Sequence, residues 1–342
     1  MSKFEVTASG RVATEILVGP ALIDEPVLPA RSGREQVVIL TQPGTPRALA
    51  ERVAARLDEQ HTILELPDRD EAKRWEVVAE LYESLAGMWV GRHDTIVGIG
   101  GGALTDVAGF VAATWLRGIE AVYVPTTMLA AVDAAIGGKT GINLAGKNLV
   151  GAFAHPARVV VDTDVLDALP RPIKREGWAE AIKTGFIADP ALVELFVASP
   201  EDPPTEEIVR RSIAIKADVV SEDFTETGRR IILNFGHTIG HAVEMVQGIS
   251  HGEAVSIGMV AAAELSRNKF GFDFPVKATL ASLGLPVAAE ADLKAVEHLV
   301  WLDKKRDSTG LQMVLLAEIG VPQIVHVTVD DLALGLAAIG LA

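Results

Sequence analysis

Cysteine is absent from the 342-residue chain, and its absence narrows the chemistry open to the protein. Disulfides, thiolate nucleophiles and cysteine-bound metals are excluded, so a metal must be held by oxygen and nitrogen ligands. The sequence also lacks a run of the ~18 apolar residues that a membrane span needs. The first thirty residues place Lys3, Glu5, Arg11 and Glu15 among apolar positions, which is not the pattern of a secretory signal. We therefore expect a soluble, cytoplasmic protein without a membrane partner.

Positive charge is also scarce. The chain has 31 Lys and Arg against 46 Asp and Glu, a formal net charge of −15, which argues against a nucleic-acid partner. An acidic protein that binds anions must concentrate its few basic residues locally. Apolar residues make up 49% of the chain, enough for a globular core, and 342 residues exceed one ordinary core. We therefore expect two domains.

Short β-branched runs alternate with helical patterns in the first half of the chain, which predicts a parallel sheet with helices on its faces. Predicted strands cover 37–41, 62–66, 95–100, 121–125 and 159–162, and predicted helices cover 46–59, 71–85 and 102–115. Beyond Pro172 helical patterns dominate, apart from an apolar segment at 313–316. We expect an α/β, Rossmann-like domain over 1–171 and a mostly α-helical domain over 172–342. Whether residues 1–35 add a strand pair to the sheet is left open.

A glycine-rich segment, Gly98-Ile-Gly-Gly-Gly-Ala-Leu-Thr-Asp106, lies where the third predicted strand meets its helix. Glycines let the backbone approach a pyrophosphate, and the free N–H groups of a helix N-terminus favour its negative charge. A tight turn without a ligand explains the segment equally well, because the dinucleotide fingerprint normally belongs to the first strand of such a unit. Thr126 and Thr127 follow the next strand and add two hydroxyls at the same sheet edge.

A second glycine-rich stretch, from Asp133 to Phe153, carries Lys139, Lys147 and Asn148 between apolar residues. A flexible solvated loop would not hold so many apolar residues. The composition therefore favours an anion-handling loop over a surface turn.

Three of the eight histidines, His237, His241 and His251, fall within fifteen positions. The first two are four apart and share one face of a helix, and a helix returning from His251 would bring the third ring to the same place. Such rings suit a divalent ion such as zinc, although a lone pair at this spacing is more often satisfied or exposed. Glu180 and Lys183 form either a simple helical ion pair or, through Glu180, the carboxylate of a three-ligand metal site.

Four blocks of sequence together resemble the 3-dehydroquinate synthase family of sugar-phosphate cyclases. They are GIGGGALTDVAGF, VPTTMLAAVDAAIGGKTGINLAGKNLVGAF, GWAEAIKTG, and NFGHTIGHAVE followed by HGEAVSIGM. The resemblance runs from about residue 36 to 320, with the blocks in the family's order and spacing. It implies NAD and one divalent metal, zinc or else cobalt, in a cleft between an α/β and a helical domain. The resemblance also implies a homodimer, the usual assembly in this family.

The resemblance also implies a reaction, a step of the shikimate pathway to the aromatic amino acids. The substrate is a phosphorylated keto acid, 3-deoxy-D-arabino-heptulosonate 7-phosphate. It is transiently oxidised by NAD, loses phosphate, is reduced again and closes by an aldol step to 3-dehydroquinate.

The resemblance assigns roles to residues of this chain. The implied metal ligands are Glu180, His237 and His251. The implied NAD contacts are Asp70, Lys73, Gly101, Gly102, Ala103, Asp106, Thr126, Thr127, Lys139 and Lys147. The implied substrate-binding and catalytic residues are Arg117, Asp133, Lys139, Asn148, Lys183, Lys216, Glu226, Arg230, Asn234, His241 and one of Lys304 or Lys305, with His241 and Glu226 as candidates for proton transfer.

In the family, a Pro-x-Gly-Glu-x-x-Lys segment after the second strand holds the adenosine ribose, and this chain departs from that pattern. It reads Pro67-Asp-Arg-Asp-Glu-Ala-Lys73, so Arg69 replaces the glycine and Asp70 the glutamate. The family's usual aspartate after its first strand is Gln42. These changes leave open whether Asp70 or Glu71 reaches the ribose, and whether a 2′-phosphate is accepted.

Two other functions remain open. Valiolone-type and inosose-type cyclases share the fold, NAD and metal but act on differently charged substrates. Cyclases whose substrate lacks a carboxylate usually differ at the positions matched here by Arg230, Asn234 and His241, so the resemblance favours a substrate with a carboxylate. A metal-dependent alcohol or polyol dehydrogenase would instead release NADH stoichiometrically and would not need so many phosphate-directed lysines.

Overall fold

The computed structural model describes residues 1–304 and 311–341, and the chain divides into two compact units. The first unit comprises Met1–Pro170 and Lys216–Thr225, and the second comprises Arg171–Ile215 and Glu226–Ala342. Nothing in the sequence marks Lys216–Thr225 as part of the first unit. The predicted division into an NAD-binding domain over 1–171 and a metal- and substrate-binding domain over 172–342 stays a prediction.

The strands of the first unit are β1 (Ser2–Ala8), β2 (Arg11–Gly19), β3 (Gln36–Thr41), β4 (Gln60–Glu65), β5 (Thr95–Gly100), β6 (Glu120–Pro125), β7 (Lys139–Ile142), β8 (Val150–Phe153) and β9 (Arg158–Asp162). Seven of them form one sheet in the order β1-β2-β9-β6-β5-β3-β4, while β7 and β8 form a separate hairpin. Neighbours in the sheet are parallel except β1 and β2, so the predicted α/β fold class is confirmed. The N-terminal strand pair joins the sheet through β2 and β9.

Four helices lie wholly in the first unit: α1 (Arg47–Ala54), α2 (Trp75–Gly87), α3 (Gly102–Thr114) and α4 (Thr163–Asp167). The helix predicted over 46–59 is wrong at its end, because α1 stops at Ala54. There the Leu57 N–H bonds the Ala54 carbonyl, and this tight turn directs the chain towards β4.

The helix predicted over 71–85 is wrong at its start. Arg69–Lys73 form a 3₁₀ turn, and α2 begins at Trp75. Val78, Leu81 and Leu85 are buried, as their shared face predicts. Trp75 is 42% exposed, because the helix begins at this residue rather than one turn earlier.

The inner strands of the sheet are covered on both faces, which explains their apolar, β-branched sequences. All six residues of β5 and five of the six in β3 are buried, whereas none is buried in the edge strand β4. The carboxyl ends of β3, β5 and β6 lead into Gln42, Gly101 and Thr126. These residues therefore meet at the edge where parallel sheets bind ligands.

The second unit is mostly helical. Its elements are α5 (Arg171–Ala188), α6 (Pro190–Ala198), α7 (Thr205–Glu222), α8 (His237–Gln247), α9 (His251–Phe270), α10 (Val276–Ser282), α11 (Leu293–Lys304), β10 (Gln312–Glu318), β11 (Val321–His326) and α12 (Val329–Ala338), the last turns of α7 belonging to the first unit. Strand β10 contains the apolar segment 313–316 and pairs antiparallel with β11. Across residues 1–304 and 311–341, no helix is long and apolar enough to cross a membrane.

Helices α8 and α9 approach each other through glycines. A Cβ at Gly258 of α9 would lie 1.9 Å from the carbonyl oxygen of Gly236, the residue before α8. Gly236 has a φ of +81°, which residues with a side chain rarely adopt. This contact fixes the start of α8, where His237 lies.

Gly258→Ala is therefore expected to lower the free energy of unfolding by roughly 1–3 kcal/mol, since the methyl group must displace backbone. Gly87→Ala is the matched control. Gly87 ends α2 and has nothing within 4 Å of an added Cβ. Stability there should stay level or rise by up to ~1 kcal/mol. Denaturant titration measures both variants, and equal stabilities would contradict the close packing of α8 and α9.

A candidate metal centre and a nucleotide-binding edge

The glycine-rich turn between β5 and α3 leaves the start of the helix without a side-chain cap. Gly101 is the N-cap, and a Cβ there would lie 3.3 Å from Cγ2 of Thr127. The following strand returns to the same place, because the Thr126 N–H donates to the Gly100 carbonyl at 2.9 Å. Uncapped N–H groups and an open backbone fit a pyrophosphate. Gly102 and Ala103 are the first two residues of α3.

A buried lysine lies beside this turn. Lys73 is 2% exposed, and its ammonium group donates to Asp106 at 2.6 Å and to the side-chain carbonyl of Asn148. Burial raises the pKa of Asp106 to about 6, against the opposing charge of Lys73. Lys73 thus ties α3 to the turn at Asn148, and its implied contact with the ribose stays a prediction.

The predicted anion-handling loop is in part the β7–β8 hairpin. Lys139 is the first residue of β7 and is exposed. Lys147 lies in the turn of the hairpin, with Nζ 3.7 Å from Oδ2 of Asp70, and both side chains are about half exposed. The ligand roles of these residues stay predictions.

Asp133 lies in a single π-helical turn, Ala130–Ala134, a distortion that is common at functional sites. Lys216 is buried and forms an ion pair with the Asp133 carboxylate. Both residues belong to the first unit. The sequence separates them by 83 positions and gave no sign of this pairing.

Arg117 lies apart from the glycine-rich turn. It follows the C-terminal end of α3, whereas Gly101 precedes its start. The helix has 13 residues, so the two ends are about 20 Å apart at ~1.5 Å per residue. Its implied contact with substrate stays a prediction.

In the second unit, Glu180 of α5 lies between two imidazoles. Its Oε1 is 3.5 Å from Nε2 of His237 and 3.4 Å from Nε2 of His251, and its Oε2 accepts a hydrogen bond from Lys183. His237 and His251 are the first residues of α8 and α9, and His241 lies one turn along α8. Ligand atoms of the three histidines fall within 4.8 Å of one another. The sequence-predicted convergence of these rings is confirmed.

The charges in this cluster depend on burial and on close neighbours. Burial disfavours the charged form of Glu180, but Lys183 and the imidazoles hold its pKa well below the usual value. Burial, aided by the Lys183 charge, lowers the pKa of His237 to about 3, so this ring is neutral. Burial also lowers the pKa of His251, but the neighbouring Glu180 and Glu244 carboxylates have the larger effect and raise that pKa to about 10.

The donor set fits a divalent cation. Glu180 is 1% exposed, and within the described part of the chain its Oε1 accepts no hydrogen bond, although two ring nitrogens lie near it. A bound cation would satisfy that oxygen and take the place of the His251 proton. One carboxylate and two imidazoles are a zinc set with an open position. The cluster thus offers Glu180, His237 and His251, with His241 as a fourth, exposed ring.

Glu244 is a residue that the sequence analysis missed. Its Oε2 is 3.0 Å from Nδ1 of His251, on the side of the ring away from Glu180. Such a carboxylate fixes the tautomer and orientation of a metal-binding histidine. The signal was present in the sequence, because His237, His241 and Glu244 have the i, i+4, i+7 spacing of one helix face.

The other predicted residues of the second unit precede α8, end α11 or lie outside the described residues. Arg230 is 2% exposed, in the 3₁₀ turn Arg229–Asn234 that precedes α8. Asn234 donates to Oε1 of Glu226 at 2.9 Å. Lys304 is the last residue of α11, and Lys305 lies outside the described residues.

Comparison with known proteins agrees with this architecture. Residues 63–176 match the family model described as 3-dehydroquinate synthase N-terminal, and residues 177–306 match its C-terminal counterpart. The 3-dehydroquinate synthase of Thermobifida fusca is 47% identical over 328 residues, covering 91% of this chain and 89% of that protein. The enzyme of Mycobacterium leprae is 42% identical and covers 94% of each chain.

Two solved cyclase structures share the fold. 2-Deoxy-scyllo-inosose synthase, complexed with carbaglucose-6-phosphate, NAD⁺ and Co²⁺, has a TM-score of 0.86 at 28% identity, over 99% of this chain and 100% of that chain. 2-Epi-5-epi-valiolone synthase from Streptomyces hygroscopicus, with NAD⁺ and Zn²⁺ bound, also has a TM-score of 0.86, at 25% identity over 98% and 99%. Family models spanning both units and relatives above 40% identity place the branch more narrowly: the chain belongs to the 3-dehydroquinate synthase family.

Proposed function

We propose that the protein converts 3-deoxy-D-arabino-heptulosonate 7-phosphate to 3-dehydroquinate and phosphate, with NAD bound to the first unit and one divalent metal, zinc or cobalt, to the second. The observation that carries the proposal is the convergence of Glu180, His237 and His251, in a chain whose curated relatives are 3-dehydroquinate synthases. The glycine-rich edge of the sheet supports NAD, since an uncapped helix start fits a pyrophosphate.

The bound groups would supply two kinds of chemistry: the metal polarises a substrate hydroxyl, and NAD takes up and returns a hydride. The chain holds two of the three ligands in the required protonation states, and the metal would displace a proton from the third, His251. Lys183 keeps Glu180 ionised inside the protein, and burial keeps His237 neutral. Glu244 fixes the His251 ring through Nδ1 and leaves Nε2 directed at the centre.

The substrate's phosphate and carboxylate carry about three negative charges at neutral pH, in a protein of net charge −15. Buried cations must therefore hold it locally. Lys183 and Arg230 are 1% and 2% exposed in the second unit, and Lys216 is 7% exposed in the first. A buried guanidinium suits a carboxylate or phosphate because it donates through a planar fork.

Proton transfer falls to His241 and Glu226. His241 is exposed, and its ring centroid is 5.1 Å from that of His237, so it borders the metal ligands. Glu226 accepts a hydrogen bond from Asn234, which orients its carboxylate. Positioned groups of this kind contribute through proton transfer to or from the reacting atoms.

The two alternatives receive less support. The inosose and valiolone synthases are 28% and 25% identical to this chain, against 42–47% for the 3-dehydroquinate synthases. A dehydrogenase with net redox would not need so many buried cations. The homodimer and the cytoplasmic location stay predictions.

The overall reaction has a direct assay. With the heptulosonate phosphate and NAD at a small fraction of the substrate concentration, many phosphates should be released per NAD, because the hydride is returned in each cycle. A chelator should abolish release, and added Zn²⁺ or Co²⁺ should restore it. Accumulation of NADH in proportion to product would contradict the proposal and favour a dehydrogenase.

The division of roles among the histidines can be tested by substitution. His237→Ala should lose the metal, because Nε2 of His237 lies 3.5 Å from the Glu180 oxygen at the centre. His241→Ala should keep the metal but turn over roughly 10²–10⁴-fold more slowly, the usual loss for a proton-transfer group. Metal content by elemental analysis and kcat measure the two effects. Equal metal content in both variants would contradict the assignment.

Glu244→Gln should weaken metal binding by roughly 10–100-fold, since the amide no longer fixes the His251 ring as a carboxylate does. The matched control is Glu264→Gln, which removes the same charge from α9. Glu264 pairs with Arg267. It lies 13 residues beyond His251, about 20 Å along α9. Competition with a chromogenic chelator measures the affinities. Similar affinities for the two variants would show that Glu244 has no positioning role.

A further inference from the structure

A cavity of about 590 Å³ lies in the second unit, between α9, the segment 271–277 and α12. Its volume is within the range of about 300–1,000 Å³ that small-molecule sites occupy. All of its lining residues fall between 260 and 277 or between 334 and 338, so neither Glu180 nor any of the three clustered histidines contributes to it. The cavity is therefore separate from the metal centre.

The apolar part of the cavity contains two aromatic rings. Val260, Phe272 and Val276 are buried, and Phe274 and Leu334 are partly buried. Aromatic rings pack favourably against one another in edge-to-face or offset arrangements. This part of the cavity thus fits an apolar ligand group that is itself an aromatic ring.

Four charged residues also line the cavity, and they are Glu264, Arg267, Asp273 and Lys277. Oε1 of Glu264 accepts a hydrogen bond from Arg267 at 2.6 Å, so these two charges neutralise each other. Asp273 and Lys277 are both exposed. Lys277 donates to the Ala338 carbonyl at 3.3 Å, and an ammonium group has three N–H donors, so it can also donate to a ligand. The cavity therefore offers one acidic and one basic group to a ligand.

The ligand that matches this lining carries an ammonium group, a carboxylate and an aromatic ring. We propose that the cavity binds an α-amino acid with an aromatic side chain, with its ammonium group at Asp273, its carboxylate at Lys277 and its ring against Phe272 and Phe274. A zwitterion has no net charge, so a protein of net charge −15 does not repel it. An aromatic acid without the ammonium group would be repelled by Asp273, and an aromatic amine would leave Lys277 without an acceptor.

Three phenylalanine rings connect the cavity to the metal centre. Phe274 lies edge-to-face with Phe186 of α5, with centroids 5.6 Å apart and planes at 68°, and Phe186 lies in the same way against Phe235, at 6.3 Å and 71°. The Phe235 carbonyl lies 3.2 Å from Nδ1 of His237. Phe186 and Phe235 are fully buried, so a shift of one ring must displace the next.

A ligand that moves the Phe274 ring is therefore expected to change the position of His237 and with it the affinity for the metal. Such coupling is reciprocal, so zinc should change the affinity for the amino acid by the same factor. This effect, unlike binding in the cavity, rests on the metal site of the proposed function.

Isothermal titration calorimetry of the full-length, zinc-loaded protein with L-phenylalanine measures the binding. The wild type should bind with a dissociation constant of about 1 mM or tighter. Binding should be at least about tenfold weaker for 3-phenylpropanoate and 2-phenylethylamine, which each lack one charge, and for L-alanine, which lacks the ring.

Three variants locate the ligand. Asp273→Asn should weaken binding of L-phenylalanine by roughly tenfold, the loss of a charge-assisted hydrogen bond. Asp202→Asn is the matched control, because it removes the same charge from an exposed position before α7 that does not line the cavity. Ala337→Trp, at an exposed lining position on α12, should fill the cavity and abolish binding. Circular dichroism checks that each variant is folded.

Competition with a chromogenic chelator, with and without saturating L-phenylalanine, measures the coupling. The zinc affinity of the wild type should change by a factor of about five or more. Ala337→Trp serves as the blank, because it corrects for zinc that the free amino acid binds.

The outcomes separate the site, the coupling and the proposed function. No binding by the wild type, equal binding of L-phenylalanine and 3-phenylpropanoate, or equal binding by Asp273→Asn and Asp202→Asn would overturn the site. Binding with an unchanged zinc affinity would overturn the coupling and leave the site standing. Each of these results leaves the proposed function intact, whereas a wild type that binds no zinc would overturn that function and not the amino-acid site.

Discussion

The Glu180 carboxylate carries its charge inside the helical unit, where an isolated anion would be unstable. It is stable because Lys183 donates to one oxygen and two imidazole nitrogens lie beside the other. The same arrangement leaves that second oxygen without a hydrogen bond. The buried Glu180 carboxylate is thus the centre of a site that a divalent cation would complete. The proposal that this unit binds the metal depends on that carboxylate.

Both candidate sites use the ends of secondary-structure elements. His237 and His251 open two helices, and the contact between Gly236 and Gly258 fixes how closely those helices approach. In the first unit, the ends of neighbouring parallel strands bring Gln42, Gly101 and Thr126 to one edge. At such positions the backbone is rigid on one side and free to present groups on the other, which suits ligand binding.

Local patterns predicted much of this arrangement. Strands with buried β-branched residues, the glycine-rich start of α3 and the histidine spacing of α8 were all readable, because each depends on neighbours in sequence. The two helix ends that the sequence placed wrongly lie in short local turns, whereas the features that the sequence did not show depend on distant contacts. The joining of β2 to β9 and the ion pair of Lys216 with Asp133 link residues more than eighty positions apart. The pairing of His251 with Glu244 also requires the turn between two helices, although the spacing of Glu244 on α8 pointed to it.

The central claim is that Glu180, His237 and His251 bind one divalent cation. The most direct measurement is a crystal structure of the protein with Zn²⁺, with anomalous data at the zinc edge. We expect one strong peak within about 2.0–2.2 Å of Oε1 of Glu180 and Nε2 of both histidines. A peak coordinated by other side chains, or none at this cluster in fully zinc-loaded protein, would contradict the account.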